Sequence, residues 1–548
     1  MKKIAIGALA VAFSTNLFIS CEDIAFLNQA PYSSSSPENF YKTTLDFENA
    51  IVGCYDVVGT HAVGSVDVTY GTYKNGLVFM LTGGNDESVL SNNPGTNDYT
   101  AFGQAAYTAV NSAVGQHWTA YFAGVMRCNY VIDKAKDITF DGEGAQARLE
   151  EIVAEAHFLR GFFYLHLAQL FGGVPVYTAP ESDAYAARQP IEDVYKVIIP
   201  DFEYAYSKLP HRATVMGAAN KWTAAGYLAV VYNYLAACKR NNVGGALPNS
   251  DLNKFDWVDA NAMTAAAQPL LEDVILNSGY ILTPKYDCLF REATKAKQQE
   301  ECLFTYEVAT VTGGDSYPAS TLLFAPGSSA LGGSFGIYRG TMELYKSYNQ
   351  SLDVRYKHNV TGNYQANVTE TVEGGVYLVP AAAVLTSTTL FIGKYRIQKL
   401  DTRALSASNS GISMPLLRYA DILLQYAETM YFLGDETTAR AMLTQVRSRA
   451  LAAGQAVEDL DIAYHKTNFL DELLDERRRE LCAESKRRID LIRFGRLTSA
   501  IEGVDVTAGG ANDSAKALKE NWAEYKIWFP IPQSQRDMNK NLTQNNGY

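Results

Sequence analysis

The spacing of apolar residues along the chain predicts a mainly helical protein. Between Arg148 and Phe171, apolar residues recur at steps of three and four, which places them on one face of a helix. These residues are Leu149, Ile152, Ala156, Leu159, Phe163, Leu167 and Leu170. Gly172, Gly173 and Pro175 then predict the end of this helix. Further helices are predicted over residues 45–58, 118–135, 191–208, 220–238, 260–277, 416–433, 435–451 and 467–484.

Two long stretches interrupt the helical pattern. Residues 59–115 are rich in Gly, Asn, Thr and Tyr, and residues 280–410 are rich in Gly, Ser, Thr and β-branched residues. Short strand-like runs stand in the second stretch, at 303–308 and 376–379. We therefore expect loop-rich and short-strand insertions in a helical scaffold.

One predicted helix pair carries a repeat signature. Ala427, Gly434, Asp435 and Ala439 stand at relative positions 0, 7, 8 and 12. Small residues at these places let two helices approach closely, and Gly-Asp makes the turn between them. The pattern is similar to a tetratricopeptide unit, and the alternative is a generic helical hairpin.

The N-terminus has the pattern of a bacterial export signal. Lys2 and Lys3 precede the uncharged segment 4–20, whose apolar centre is too short to span a bilayer. Ser20 and Cys21 then stand as in a lipobox, with Phe18 where Leu is usual. We predict cleavage before Cys21 and lipidation of its thiol, with the lipid as the sole membrane attachment. The alternative is an ordinary signal peptide with a chance cysteine.

Composition narrows the classes of function. The 548 residues carry 47 basic and 59 acidic side chains, a net charge of −12, which argues against nucleic-acid binding through a general basic field. Hydrophobic residues at 47% and charged residues at 19% are typical of a globular protein and exclude a disordered one. The 35 tyrosines suit a wet binding surface, because each offers a flat apolar face and a hydroxyl.

The remaining cysteines predict neither a zinc site nor a redox motif. No two of them form a CxxC pair, and no histidine cluster accompanies them. We expect buried free thiols at Cys54, Cys128, Cys238, Cys288, Cys302 and Cys482.

No catalytic constellation emerges from the sequence. Residues 332–336 match G-x-S-x-G, but the segment before Ser334 is not the apolar strand that a nucleophile elbow requires. His157 and His166 stand nine residues apart, on opposite faces of one helix, and therefore cannot share a metal ion. We predict a protein that is not an enzyme and has no cofactor.

Five stretches stand in order along the chain. They are HWTAY at 117–121, continuing to Asn129; EAHFLR at 155–160 with FGGVP at 171–175; LRYADILL at 417–424 with YAE at 426–428; ERRREL at 476–481 with RIDL at 488–491; and WFPIP at 528–532 with NLTQN at 541–545. Together they resemble the SusD/RagB family of outer-membrane lipoproteins from Bacteroidetes. His157 stands where the family pattern has Arg.

The resemblance implies a mainly α fold of tetratricopeptide-like helical pairs with insertions. It implies a signal peptide over 1–20, a tether over 21–40 and a SusD-like domain over 41–548, with an N-terminal part at 41–280 and a C-terminal part at 281–548. It further implies a non-catalytic, lipid-anchored protein on the outside of the outer membrane. Such a protein captures an oligosaccharide and delivers it to a SusC-like TonB-dependent transporter.

Two irregular regions, 59–115 and 280–345, are the natural recognition loops on a rigid scaffold. Their aromatic rings can stack on the apolar face of a sugar, and their amide, acid and guanidinium groups can bind its hydroxyls. The candidate ligand-binding residues are Tyr70, Tyr73, Asn92, Asn93, Asp98, Tyr99, Tyr317, Tyr338 and Arg339. Two other functions stay open: a peptide binder of the RagB type, and a secreted glycan hydrolase.

Three further predictions concern packing. Asp86 is expected to be structural, with a calcium site as the alternative. Glu476 and Arg479, and likewise Glu484 and Arg488, have the spacing of ion pairs on one helix. The segment 528–532 is expected to pack on the helices as an aromatic and proline plug.

Overall fold

The computed structural model describes most of the chain. The described residues are 40–60, 62–90, 97–215, 217–248, 250–308, 336–361, 368–372, 375–379, 390–395, 398–399, 411–507 and 512–548. The signal segment, nearly all of the tether and Ser334 lie outside them, so the predictions made there stay predictions.

Helices dominate the described residues and confirm the predicted fold class. They are α1 (Thr44–Asp56), α2 (Gly76–Thr82), α3 (Asn97–Gly103), α4 (Ser112–Lys134), α5 (Glu143–Phe171), α6 (Ile191–Lys208), α7 (Lys221–Arg240), α8 (Ala260–Asn277), α9 (Gln298–Glu301), α10 (Met342–Ser347), α11 (Val354–Asn359), α12 (Tyr419–Phe432), α13 (Glu436–Arg449), α14 (Phe469–Glu480), α15 (Arg487–Arg493), α16 (Leu497–Gly503), α17 (Asn512–Asn521) and α18 (Gln533–Met538). Within the described ranges, none of these helices is long and apolar enough to cross a membrane.

Helix α5 lies at the centre of the scaffold. All seven residues of its predicted apolar stripe are at most 2% exposed, and α5 packs against α1, α4 and α6. Gly124 of α4 lies against the ring of Phe163, where an added Cβ would come within 2.6 Å of a ring carbon. The row of helices then continues through α6, α7, α8, α12 and α13, each packed on the one before it. This row forms the rigid body that carries the insertions.

The predicted tetratricopeptide-like turn is present between α12 and α13. Gly434 adopts a φ of +89°, which favours glycine, and the Asp435 side chain accepts the Thr438 N–H at 2.9 Å to begin α13. Ala427 and Ala439 are fully buried where the two helices meet. Small side chains at this contact let the helices approach closely, as the spacing predicted.

The strands form four small antiparallel sheets within the described residues. They are β1 (Ala62–Val63), β2 (Val66–Asp67), β3 (Ser88–Leu90), β4 (Cys302–Tyr306), β5 (Tyr338–Gly340), β6 (Val360–Thr361), β7 (Val368–Val372), β8 (Gly375–Val379), β9 (Phe391–Ile392), β10 (Gln398–Lys399) and β11 (Met414–Arg418). Their orders are β1-β2, β10-β8-β7, β11-β4 and β3-β5-β9-β6. Strand β11 replaces the start of the helix predicted over 416–433, because its backbone pairs with β4.

Buried ion pairs fix α14 within the fold. Glu476 accepts hydrogen bonds from Arg355 at 2.7 Å, from Arg447 at 2.9 Å and from Arg479 at 2.9 Å. The predicted pairing of Glu476 with Arg479 is confirmed. Although burial alone would raise it, these three guanidinium groups hold the pKa of Glu476 well below its ordinary value.

The predicted pairing of Glu484 with Arg488 is wrong. Helix α14 ends before Glu484, and Ala483 adopts a φ of 57°, so the two side chains do not share a helix face. Glu484 instead accepts two hydrogen bonds from Arg418, each at 2.8 Å. Arg488 donates to the Lys526 carbonyl at 2.6 Å.

The segment 528–532 packs as predicted. Trp528, Phe529 and Ile531 are at most 2% exposed, and the Phe529 N–H donates to the Leu170 carbonyl at 2.7 Å. The six predicted free thiols are all present as buried, unbridged cysteines.

Candidate functional site

A groove of about 560 Å³ lies where both predicted recognition regions meet the helical scaffold. Helix α1 forms one wall, and Val215, Gly217 and Ala218 form part of the rim. The first region contributes Gly59, Thr60 and Lys74, and the second contributes residues 304–308 at the end of β4. Segments about 250 residues apart in the chain therefore build one concave surface.

Local hydrogen bonds position the first region in the groove. The Tyr73 N–H donates to the Val58 carbonyl at 3.0 Å, and the Thr72 hydroxyl donates to the Thr60 carbonyl at 2.9 Å. These two bonds hold Lys74 beside the end of α1. Glycine is required at position 59, because the ring of Tyr306 occupies the space that a Cβ would take.

Helices α1 and α5 supply the charged end of the groove. Arg148 donates to both carboxylate oxygens of Glu48, at 2.7 and 2.9 Å, and to Glu155 at 2.7 Å. Burial nevertheless raises the pKa of Glu155 to about 7. The Tyr55 hydroxyl accepts the Ala219 N–H at 2.8 Å, so this end of the groove is rigidly held.

A second feature joins the two recognition regions: the ladder between β3 and β5. Leu90, the last residue of β3, pairs with Tyr338, the first residue of β5. The predicted residues Asn92 and Asn93 follow Leu90 closely in sequence, and Arg339 follows Tyr338. The ladder therefore places Leu90 and Tyr338, which border the two predicted recognition loops, next to each other.

Three aromatic rings stack beside this ladder. The Phe79 ring lies 4.3 Å from the Tyr99 ring at an interplanar angle of 9°, and 4.9 Å from the Tyr338 ring at 21°. Phe79 and Tyr338 are fully buried, whereas Tyr99 is half-buried. Among these rings, Tyr99 is the one near the surface.

Two predicted contact residues are core residues. Tyr73 is 6% exposed and its hydroxyl is hydrogen-bonded to Nε2 of His166 at 2.9 Å, while Tyr338 is 0% exposed. Neither ring face is open to an external ligand, so these two residues are removed from the proposed contact set. Their sequence context gave no sign of burial, because both stand in segments rich in glycine and polar residues.

The other predicted contact residues have different outcomes. Asp98 is exposed, and its backbone carbonyl accepts a hydrogen bond from Asn111 at 2.9 Å. The Arg339 guanidinium lies 3.8 Å from the centre of the Phe391 ring, and burial lowers its pKa to about 10. Of Tyr70, only the backbone is described, within the 3-10 turn Thr69–Gly71. The rest lie outside the described residues: Cys21, Asn92, Asn93 and Tyr317.

Of the predicted contact residues that the structure describes, none lines the groove. Three of the groove residues that sequence reasoning missed are Tyr55, Lys74 and Tyr306. Tyr55 lies in the predicted first helix and Tyr306 in a predicted strand, where an aromatic residue normally signals core packing. Lys74 stands in the first predicted recognition region but carries no motif. Only the tertiary structure shows that the three line one groove.

Asp86 has a structural role, as expected. Its carboxylate accepts hydrogen bonds from Arg487 at 2.8 and 2.6 Å and from Arg478 at 2.9 Å. Burial alone would raise its pKa, but the two guanidinium groups lower it to about 2. In the portion of the chain that the structure describes, no group of three or more His, Cys, Asp or Glu side chains is placed to hold a metal ion.

The described residues form a helical-repeat scaffold, and insertions into it line the groove. Residues 327–548 match the model of the SusD family, and residues 25–233 match a model described as starch-binding associating with outer membrane. The chain belongs to the SusD/RagB family.

Two SusD-like relatives support this assignment, one of them over nearly the whole chain. SusD-like protein P2 of Formosa agariphila is 26% identical over 97% of both chains. The starch-binding protein SusD of Bacteroides thetaiotaomicron is 31% identical, over 29% of this chain and 26% of its own length. A crystal structure of a SusD superfamily protein from Bacteroides vulgatus superposes with a TM-score of 0.71, at 20% identity, over 93% of this chain and 100% of that one.

Proposed function

We propose that this protein is a non-catalytic glycan-binding lipoprotein of the cell surface, and that the groove beside α1 is its ligand site. The observation that carries the proposal is the convergence of both recognition regions on one concave surface of about 560 Å³. The starch-binding description of one matching family model and the name of the SusD relative support a glycan as the ligand class.

The groove offers the chemistry that a sugar requires. Tyr55 and Tyr306 supply aromatic surface for the apolar face of a pyranose ring. The hydroxyls of Thr60 and Thr305 donate to the Ala62 carbonyl and to Glu307, so their oxygens can accept a hydrogen bond from a sugar hydroxyl. Stacking and hydrogen bonds on an open surface leave a modest net affinity after ordering costs, and we expect a Kd on the order of 10–100 μM.

A bulky residue at the groove rim is expected to block ligand. Val215 is 48% exposed and lines the groove, so Val215→Trp fills the opening without disturbing the core. We expect glycan affinity to fall by at least about tenfold, because the ring excludes the sugar from its contacts. Isothermal titration of the full chain against starch, β-glucan and xylan oligosaccharides measures this effect.

The matched control is Val110→Trp, which adds the same ring at a position that is 77% exposed and outside the groove. If both variants bind like wild type, the ligand site lies elsewhere. Sustained product release from any glycan by the pure protein would contradict the non-catalytic assignment.

We further propose that the lipid on Cys21 holds the protein near a SusC-like TonB-dependent transporter, to which it delivers the glycan. A shared membrane raises the effective concentration of the two partners, which offsets a modest affinity between them.

Replacing Cys21 with Ala is therefore expected to release the protein from the outer membrane, and the protein should no longer co-purify with a β-barrel transporter. Cell fractionation and affinity purification from native membranes measure both effects. Replacing a buried cysteine, as in Cys54→Ala, is the control and should leave localisation unchanged. If the Cys21→Ala variant stays in the outer-membrane fraction, a group other than a lipid on Cys21 anchors the chain.

A further inference from the structure

Lys74 is a largely buried lysine that lines the groove and has no counter-charge among the residues that the structure describes. The residue is 8% exposed and lines the groove. Its backbone N–H donates to the Thr72 hydroxyl at 3.4 Å. Among the residues that the structure describes, no carboxylate lies within ion-pair distance of its ammonium, and no side chain or carbonyl accepts a hydrogen bond from it.

Each carboxylate of the groove is paired with a cation other than Lys74. Glu48 and Glu155 both accept from Arg148 at 2.7 Å. Glu307 lies 3.0 Å from Lys295. The fourth carboxylate, that of Asp56, lies 3.6 Å from Arg127. The groove therefore has no carboxylate that neutralises Lys74.

The Lys74 ammonium has no acceptor in the described part of the protein, so its donors are available to a ligand, and an anion that binds it forms charge-assisted hydrogen bonds. We infer that the glycan bound in this groove carries an anionic group, the carboxylate of a uronic acid or a sulfate ester, which binds the Lys74 ammonium. This inference rests on the proposed function, because it takes the groove as the glycan site.

The same groove limits how much negative charge the ligand carries. Four carboxylates line it, and Arg148 is shared between Glu48 and Glu155. A second anionic group on the bound segment would lie near these acids and be repelled. The preferred ligand is therefore a mostly neutral oligosaccharide with one acidic group at the Lys74 position, and a polyanion with a charge on every sugar is disfavoured.

The inference is tested with tetrasaccharides of the malto-, laminari- and xylo-series, each prepared neutral, with one uronic acid and with one sulfate ester. Tetragalacturonate serves as the fully charged comparison. For wild type, the singly charged member of the preferred series should bind about 10–100-fold more tightly than the neutral member. One charge-assisted hydrogen bond to the Lys74 ammonium accounts for a factor of about this size. The uronate and sulfate arms distinguish the two sources of the anion.

Lys74→Met keeps the length of the side chain and removes its charge. The variant should bind the acidic and neutral members with similar affinity, and its melting temperature should stay close to that of wild type, because the Lys74 ammonium makes no ion pair or hydrogen bond with the described residues that the substitution would break. Lys74→Arg should retain the preference for the acidic member. Lys540→Met, at a lysine whose side chain is 77% exposed, is the control and should change nothing.

Three results would overturn the inference, and they differ in what else they overturn. If neutral and acidic members bind wild type equally and Lys74→Met changes neither, the anion assignment fails and glycan binding stands. If no tetrasaccharide binds, the proposed function fails as well. If a peptide mixture binds through Lys74 while every glycan fails, the anion is a peptide carboxylate and the ligand class is wrong.

Discussion

Arg418→Met is expected to lower the free energy of unfolding by about 5 kcal/mol, enough to remove most of the stability of a typical protein. Arg418 is fully buried. It donates to Glu301 at 2.9 Å, to Glu480 at 2.6 Å and twice to Glu484 at 2.8 Å. Methionine fills a similar volume but leaves three carboxylates without this partner in the interior. Although burial alone would lower it, these carboxylates hold the pKa of Arg418 well above its ordinary value.

Denaturant unfolding of the purified variant, or its failure to accumulate as folded protein, measures the effect. The control is Arg496→Met, which removes a cation that is 51% exposed and lies 3.5 Å from Asp471. That exposed pair should contribute less than about 1 kcal/mol. If both variants have the same unfolding midpoint, the buried Arg418 ion pairs contribute no more to stability than the exposed Arg496 pair.

The second large effect is expected at Tyr338. Tyr338→Ala removes a fully buried ring that stacks on Phe79 and lies at the start of β5, so it should cost about 3–5 kcal/mol through the cavity that it leaves. The substitution should also disturb the ladder with β3, since Tyr338 pairs with Leu90 there. Thermal unfolding followed by circular dichroism measures the loss.

Tyr99→Ala is the matched comparison, because Tyr99 stacks on the opposite side of the same Phe79 ring but is only half-buried. We expect a smaller loss of stability there, about 1–2 kcal/mol, since less apolar surface is removed from the interior. A Tyr338→Ala variant that unfolds like wild type but loses glycan affinity would contradict the structural role and show that Tyr338 contacts the ligand.

The two regions that contribute to the proposed groove could be predicted from the sequence, but the residues that line it could not. Composition alone separated 59–115 and 280–345 from the helical scaffold, and the groove takes residues from both. Composition does not say which of many tyrosines points inward. Tyr73 and Tyr338 are buried because α2 and α5 supply Phe79 and His166 as partners, and those contacts join residues distant in sequence.

The sequence by itself determined the nine longest described helices, the Gly434–Asp435 turn, the free thiols and the family pattern, because each depends on residues within a few turns of a helix or on composition, whereas the shorter helices such as α2 and α3 were not predicted. The tertiary structure alone decided the ion pairs and the groove. Asp86 pairs with Arg487, which lies 401 positions away in the sequence. Glu484 pairs with Arg418 and not with the predicted Arg488, because α14 ends at Glu480. Lys74 is a candidate ligand contact only because the fold places it in one groove with residues of α1 and β4, since the lack of a counter-charge among the described residues depends on tertiary contacts.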